Sequence, residues 1–163
     1  MIIKRDGEIN LALRKIVTEG DEVLRKICKE VTVFDDKCQT LIDDMKDTMY
    51  AANGIGIAAP QVGVLRRIFL MDLHDQNGLM EFINPVFISK DGDQISCEGC
   101  LSIPGFEGEV QRPAYIKIRA MDRFGDEFEY EGEELAAVCV SHEYDHLDGI
   151  LFRDKVIESD DNE

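Results

Sequence analysis

No stretch of the sequence approaches the roughly 18 consecutive apolar residues of a transmembrane helix, so no such helix is expected. The opening residues, Met1-Ile-Ile-Lys-Arg-Asp6-Gly-Glu8, lack the apolar core of a secretory signal and carry acids where a transit peptide avoids them. Basic residues are scarce: 18 lysines and arginines stand against 34 aspartates and glutamates, giving a net charge of −16. Polyanions are repelled by such a chain, which argues against DNA, other nucleic acid or an anionic membrane surface as a partner. The five cysteines are an odd number, which a fully paired disulfide framework would not use, so reduced thiols in the cytoplasm are expected. Histidines are fewer still, at three (His74, His142 and His146). There is no repeat with a period of about 20–50 residues and no low-complexity linker.

What is present fits one globular domain over residues 1–163, with 1–10 and 158–163 expected to fray. A chain of this length buries roughly 68–70% of its unfolded surface and needs no disulfide to fold. Apolar Cys38, Leu41, Ile42, Met45 and Met49 recur at helical spacing, predicting an amphipathic helix capped at Asp35 or Asp36 and stopped near Asn53-Gly54. Strands are expected at Arg67–Leu73 and Met80–Asn84, around the turn Gln76-Asn-Gly78, and at Tyr115–Met121 and Glu127–Tyr130, around Asp122–Gly125. A second helix is predicted from Glu133 to Leu147, with Leu135, Val138, Cys139, His142 and His146 on one core-facing stripe and Gly149 as its C-terminal cap. Strands bracketed by two helices define an α+β class.

The second helix carries His142-Glu-Tyr-Asp-His146, an HExxH pattern. Positions i and i+4 lie about 5–6 Å apart on one helix face, so two imidazoles can converge on one ion, and Glu143 lies one step round, within reach of a water there. The pattern arises by chance in roughly one chain in a few hundred of this length. Two observations raise it above chance: two of the three histidines fall in it, and both sit on the apolar stripe, where a buried imidazole needs a partner. An open catalytic site takes three protein ligands and a water. No histidine follows His146, and Asp148, Asp154 and Glu158 are not on a further long helix, so an upstream thiolate is the natural third ligand. Glu98-Gly-Cys100-Leu-Ser102 supplies one in a turning segment.

Three blocks in order, Gly54-Ile-Gly-Ile-Ala-Ala-Pro-Gln61, Glu98-Gly-Cys-Leu-Ser102 and His142-Glu-Tyr-Asp-His146, resemble the GxGxAAxQ, EGCLS and HExDH patterns of the peptide deformylase family, and the similarity runs from about Leu11 to Val156. The resemblance implies mostly antiparallel sheets around a central C-terminal helix carrying HExxH, with a further helix in the N-terminal half. It implies a hydrolase that removes the formyl group from N-formylmethionine at the start of nascent polypeptides. Cys100, His142 and His146 would bind one divalent ion, and Glu143 would act as general base and then acid. Gln61 and the Leu101 N–H would hold the oxyanion, and Gly56 would permit close backbone approach. Glu98 would orient a ligand histidine, and Asp145 would pair with Arg112 or face solvent. Gly54, Ile55, Ile57, Gly99, Ile103 and Cys139 are assigned to the substrate pocket, although the apolar ones equally suit a plain core.

For the ion, the resemblance implies Fe2+ in the cell, with Zn2+, Ni2+ or Co2+ as substitutes. The expected partners are N-formylmethionyl peptides, with the chain a monomer. Family members with a basic C-terminal helix dock on the ribosome. Here an acidic tail ends 17 residues after His146 (163 − 146), so docking by that route is not expected. Cys97 completes a CxxC with Cys100 but is read as incidental, and His74 as an exposed loop residue. Glu107 and Glu109 are placed to alter preference for residues downstream of formylmethionine. Two rival readings are another HExxH peptidase, which leaves Gln61 and Cys100 without a purpose, and a silent binding relative, which has no need of the whole set.

Overall fold

Two helices sandwich a five-stranded antiparallel sheet, and a separate two-stranded hairpin closes one side. A computed structural model describes residues 13–157, so the expected frayed segments 1–10 and 158–163 lie outside the described residues. Helix α1 spans Asp36–Ala51 and is capped by Asp35, whose carboxylate accepts the Cys38 N–H at 3.0 Å. The five apolar residues whose spacing predicts it all lie on its buried face. It stops where Asn53 adopts φ 56°, and the Gly54 N–H donates back to the Met49 carbonyl at 2.9 Å.

Strands β1 (Gly56–Ala58), β2 (Ile68–Asp72), β3 (Leu79–Asp91), β6 (Tyr115–Met121) and β7 (Glu127–Glu133) form the large sheet in the order β1-β2-β3-β6-β7. Strands β4 (Gln94–Cys100) and β5 (Ile103–Arg112) form the hairpin. Every strand pair is antiparallel. All of β2 is buried because both faces of the sheet are covered. Its Ile68 and Leu70 pack with Met45 and Met49 of α1, while Phe69 and Met71 pack with Val140 of helix α2 (Leu135–Leu147). Phe69 stacks on Phe82 with ring centroids 4.6 Å apart, a pair that contributes about 0.5–1.5 kcal/mol beyond its burial.

Several boundaries differ from the sequence expectation. Strand β3 continues past Asn84 to Asp91, with Asn84-Pro85 absorbed as an irregularity in the pairing with β6. Asn84 takes φ 50°, and its side chain bonds both the N–H and the carbonyl of Val31 at 2.8 Å. Strand β7 runs on to Glu133, so α2 begins at Leu135, the switch falling at Glu134 with φ 51°. The hairpin β4–β5 surrounds what reads only as a turning segment, since its glycines and glutamates mask the strand pattern.

Helix α2 is buried on most of its circumference between sheet and hairpin, so its histidines are enclosed from both sides. Leu135, expected in the core stripe, is instead 54% exposed in its first turn. After the helix, Gly149 adopts φ 72°, and a Cβ there would lie 2.5 Å from the Arg25 carbonyl oxygen. Glycine lets the chain turn against that backbone.

Candidate metal centre

Strand β4 ends at Cys100, where the hairpin pairing slips between Gly99 and Cys100. The slip sets its thiol beside α2, 3.4 Å from His146 Nε2. One donor atom each from Cys100, His142 and His146 lies within 4.8 Å of the others. His142 Nδ1 is held by Glu98 Oε1 at 2.8 Å, which leaves its Nε2 for the cluster. A thiol and two imidazoles, one already oriented by a carboxylate, are the donor chemistry of a first-row divalent ion.

Behind the cluster runs a line of buried charge. Arg112 grips Glu98 through Nε–Oε2 at 2.7 Å and Nη2–Oε1 at 2.8 Å, and reaches Asp145 Oδ2 at 2.7 Å. Lys155 Nζ meets the same Asp145 oxygen at 2.9 Å. Burial works against the Glu98 charge, but bonds from Arg112 and His142 outweigh it and hold its carboxyl at about 2. The two histidines are driven apart. Burial disfavours a charged His142, yet its contacts with Cys100 and Glu98 push it up to about 10, whereas burial and the charges of His142 and Arg112 push His146 well down.

Glu143 is buried at the floor of the site, and burial pushes its carboxyl up to about 7. Its Oε2 has no hydrogen-bond partner among the described residues. Room for it comes from Gly56: a Cβ there would lie 2.6 Å from Glu143 Oε1 and 3.0 Å from Cys139 Sγ. Gln61 is buried, and its Oε1 accepts the Ala58 N–H at 2.9 Å. The amide is thereby turned so that Nε2 points at Ser102 Oγ (3.2 Å) and Cys100 Sγ (3.5 Å).

These residues open into a cavity of about 590 Å³. Of the sequence-predicted set, Gly54, Ile55, Gly56, Gln61, Gly99, Cys100, Leu101, Ile103, Cys139, His142 and Glu143 line it. His146 is enclosed behind the wall. Ile57 does not line the cavity and is corrected to the core on the α1 side, because alternation along β1 points it away from the face that Gly56 presents. Sequence reasoning missed the grip of Arg112 on Glu98, the Ser102 contact of Gln61, and the wall residues Asn53 and Phe106. Val138, one turn before His142 on the same stripe, carried a legible signal for its place in that wall. All five cysteines are free; Cys97 is exposed at the cavity mouth, and His74 is exposed at the end of β2.

Fold and site together define a hydrolase-like α+β scaffold with a thiol and an HExxH helix converging under one cavity. A family model for polypeptide deformylase matches residues 13–162. Over 147 residues the chain is 57% identical to a peptide deformylase of Acetivibrio thermocellus, covering 90% of this chain and 85% of that one. It is 55% identical over 146 residues to a peptide deformylase of Agathobacter rectalis, covering 90% and 91%. The crystal structure of a peptide deformylase from Legionella pneumophila superposes with a TM-score of 0.87 at 47% identity, covering 90% of this chain and 87% of that one. That of the Thermotoga maritima enzyme gives 0.86 at 40% identity, covering 90% and 99%. The chain belongs to the polypeptide deformylase family, metal-dependent enzymes that remove the N-formyl group from nascent polypeptides. No helix among the described residues is long and apolar enough to cross a membrane.

Proposed function

We propose that Cys100, His142 and His146 hold one divalent ion and that Glu143, Gln61 and the Leu101 N–H carry out deformylation around it. The observation that carries this reading is the convergence of those three donor groups beside a buried carboxylate, one oxygen of which has no partner among the described residues, at the floor of one cavity. When bound, such an ion supplies Lewis acidity and lowers the pKa of a coordinated water toward about 7. Glu143 takes the proton of the attacking water and returns it to the departing amine, so that water and the formamide become formate and a free amino terminus. The amide of Gln61, fixed by Ala58, and the Leu101 N–H donate to the oxygen on which negative charge develops. Glu98 positions His142 through Nδ1, and Gly56 leaves space for Glu143.

Gly54, Ile55, Gly99, Ile103 and Cys139 form the wall against which the methionine side chain packs. Fe2+ is the proposed ion in the cell, with Ni2+, Co2+ and Zn2+ as substitutes, since a thiolate with two imidazoles suits several first-row metals. The protein acts as a cytoplasmic monomer, and its charge of −16 disfavours docking on ribosomal RNA. The test is formate release from formyl-Met-Ala-Ser by protein purified without oxygen and loaded separately with iron, nickel or zinc. Release with at least one metal, and none from unformylated peptide, is expected; no release with any metal overturns the reading.

A further inference from the structure

Charge around the cavity is one-sided. Of the described residues that line it, none is Lys or Arg, and three are acids: Glu98, Glu107 and Glu143. Glu98 is buried and committed to Arg112, and Glu143 is buried at the floor. That leaves Glu107, on β5, as the one solvent-facing charge on the wall. It pairs across the hairpin with Gly99, the residue next to Cys100. Glycine puts no side chain between them: even a Cβ at Gly99 would sit 3.8 Å from Glu107 Cγ. One peptide step and one strand spacing therefore separate the backbones of Cys100 and Glu107, about 10 Å at most.

No ion pair holds Glu107 among the described residues. The neighbouring cation, Arg153, lies over the Phe106 ring at 4.1 Å and pairs with Glu19 at 3.3 Å. Phe106 and Glu107 both line the cavity, but Arg153 is committed to Glu19 and the Phe106 ring rather than to Glu107. On the same strand Glu109, also exposed and paired with Cys97, continues the negative strip.

We propose that Glu107 is a specificity-determining residue, favouring substrates with a cationic side chain in the first two positions after formylmethionine and disfavouring acidic ones there. The inference rests on the deformylase reading: with the formyl group at the metal cluster and methionine in the cavity, an extended peptide advances about 3.3 Å per residue and passes the rim within two residues. A half-solvated charge discriminates modestly, and the overall negative field adds to it in the same direction.

The experiment compares kcat/KM for formyl-Met-Lys-Ser against formyl-Met-Glu-Ser, and for formyl-Met-Ala-Lys against formyl-Met-Ala-Glu, with formyl-Met-Ala-Ser as reference. At low ionic strength the expected lysine-to-glutamate ratio is about 3–10 at one or both positions, carried by KM and shrinking toward unity at about 1 M salt. Glu107→Gln brings the ratio toward unity and Glu107→Arg inverts it. Because the ratio is internal to each protein, changes in folding or metal loading cancel. A ratio that neither variant moves, with formyl-Met-Ala-Ser still turned over, overturns this inference alone. Absence of turnover of formyl-Met-Ala-Ser by the unmodified protein overturns the underlying reading and this inference with it.

Discussion

Glu98 Oε1 lies 2.8 Å from His142 Nδ1, and that carboxylate is itself fixed by Arg112 through two bonds of 2.7 and 2.8 Å. The imidazole of His142 is therefore oriented before any ion arrives, and its Nε2 is the atom left free. Glu98→Gln keeps the shape but lets the amide present either its oxygen or its NH2 to Nδ1, and it removes one anion from the buried Arg112. Metal affinity is expected to fall about 10–100-fold, with the fold retained. Metal content after dialysis against graded chelator measures this, and unchanged retention would contradict the orienting role.

Among the described residues Glu143 differs from Glu98, the other buried acid of the site, in having no cation gripping it and an oxygen without a partner. Glu143→Gln is nearly isosteric, so metal stoichiometry should stay near that of the unmodified protein while deformylation drops about 10²–10⁴-fold. The two measurements belong on one preparation. Near-normal turnover with metal bound would remove Glu143 from the acid–base role.

Gly56 and Gly54 make a paired test of close packing. A Cβ at Gly56 meets the Glu143 carboxylate at 2.6 Å and its Cδ at 3.0 Å, whereas a Cβ at Gly54 meets the end of the Leu101 side chain at 2.8 Å. Leu101 can rotate aside; the enclosed Glu143 cannot. Gly56→Ala should cost about 1–3 kcal/mol of stability and about 10²-fold in kcat, with Gly54→Ala milder on both. Urea unfolding and formate release compare them, and equal effects would show that the Glu143 contact is not the cause.

Much of this arrangement is legible in the sequence because it is local. Cys38 to Met49 announce α1 by their spacing, and His142 and His146 need only a helical turn to share a face. The grip of Arg112 on Glu98 is not legible in the same way: the two lie 14 residues apart and only the hairpin brings them together, whereas the Asp145 pairing, one of the two sequence readings, forms where the hairpin packs on α2. The hairpin itself is hidden because β4 and β5 are rich in Gly and Glu, and their stability comes from cross-strand pairing over α2. Ile57 is a different case. Once Gly56 is placed against Glu143, alternation along the strand already sends Ile57 to the opposite face.

Tyr50 and Asp72 supply a pH-dependent test away from the metal cluster. The Tyr50 hydroxyl donates to Asp72 Oδ2, joining α1 to the end of β2. Burial, then the bond to Asp72, pushes the phenol up to about 12, while the same bond holds the Asp72 carboxyl below its usual range. A phenol raised in the folded state stabilises the protein fully below its unfolded pKa of about 10, and that contribution is lost as pH rises through about 12. The depressed carboxyl works in the other direction: its contribution is present above about 3.9 and lost as pH falls below it. Tyr50 is 39% exposed, so the bond is discounted to about 0.5–1 kcal/mol. Tyr50→Phe should therefore destabilise by that amount across pH 5–9, with the deficit shrinking between about pH 10 and 12 because the unmodified protein loses the bond there. Urea midpoints of the two proteins across that range measure it, and a deficit that stays constant to pH 12 would show that the bond to Asp72 is not what raises the phenol.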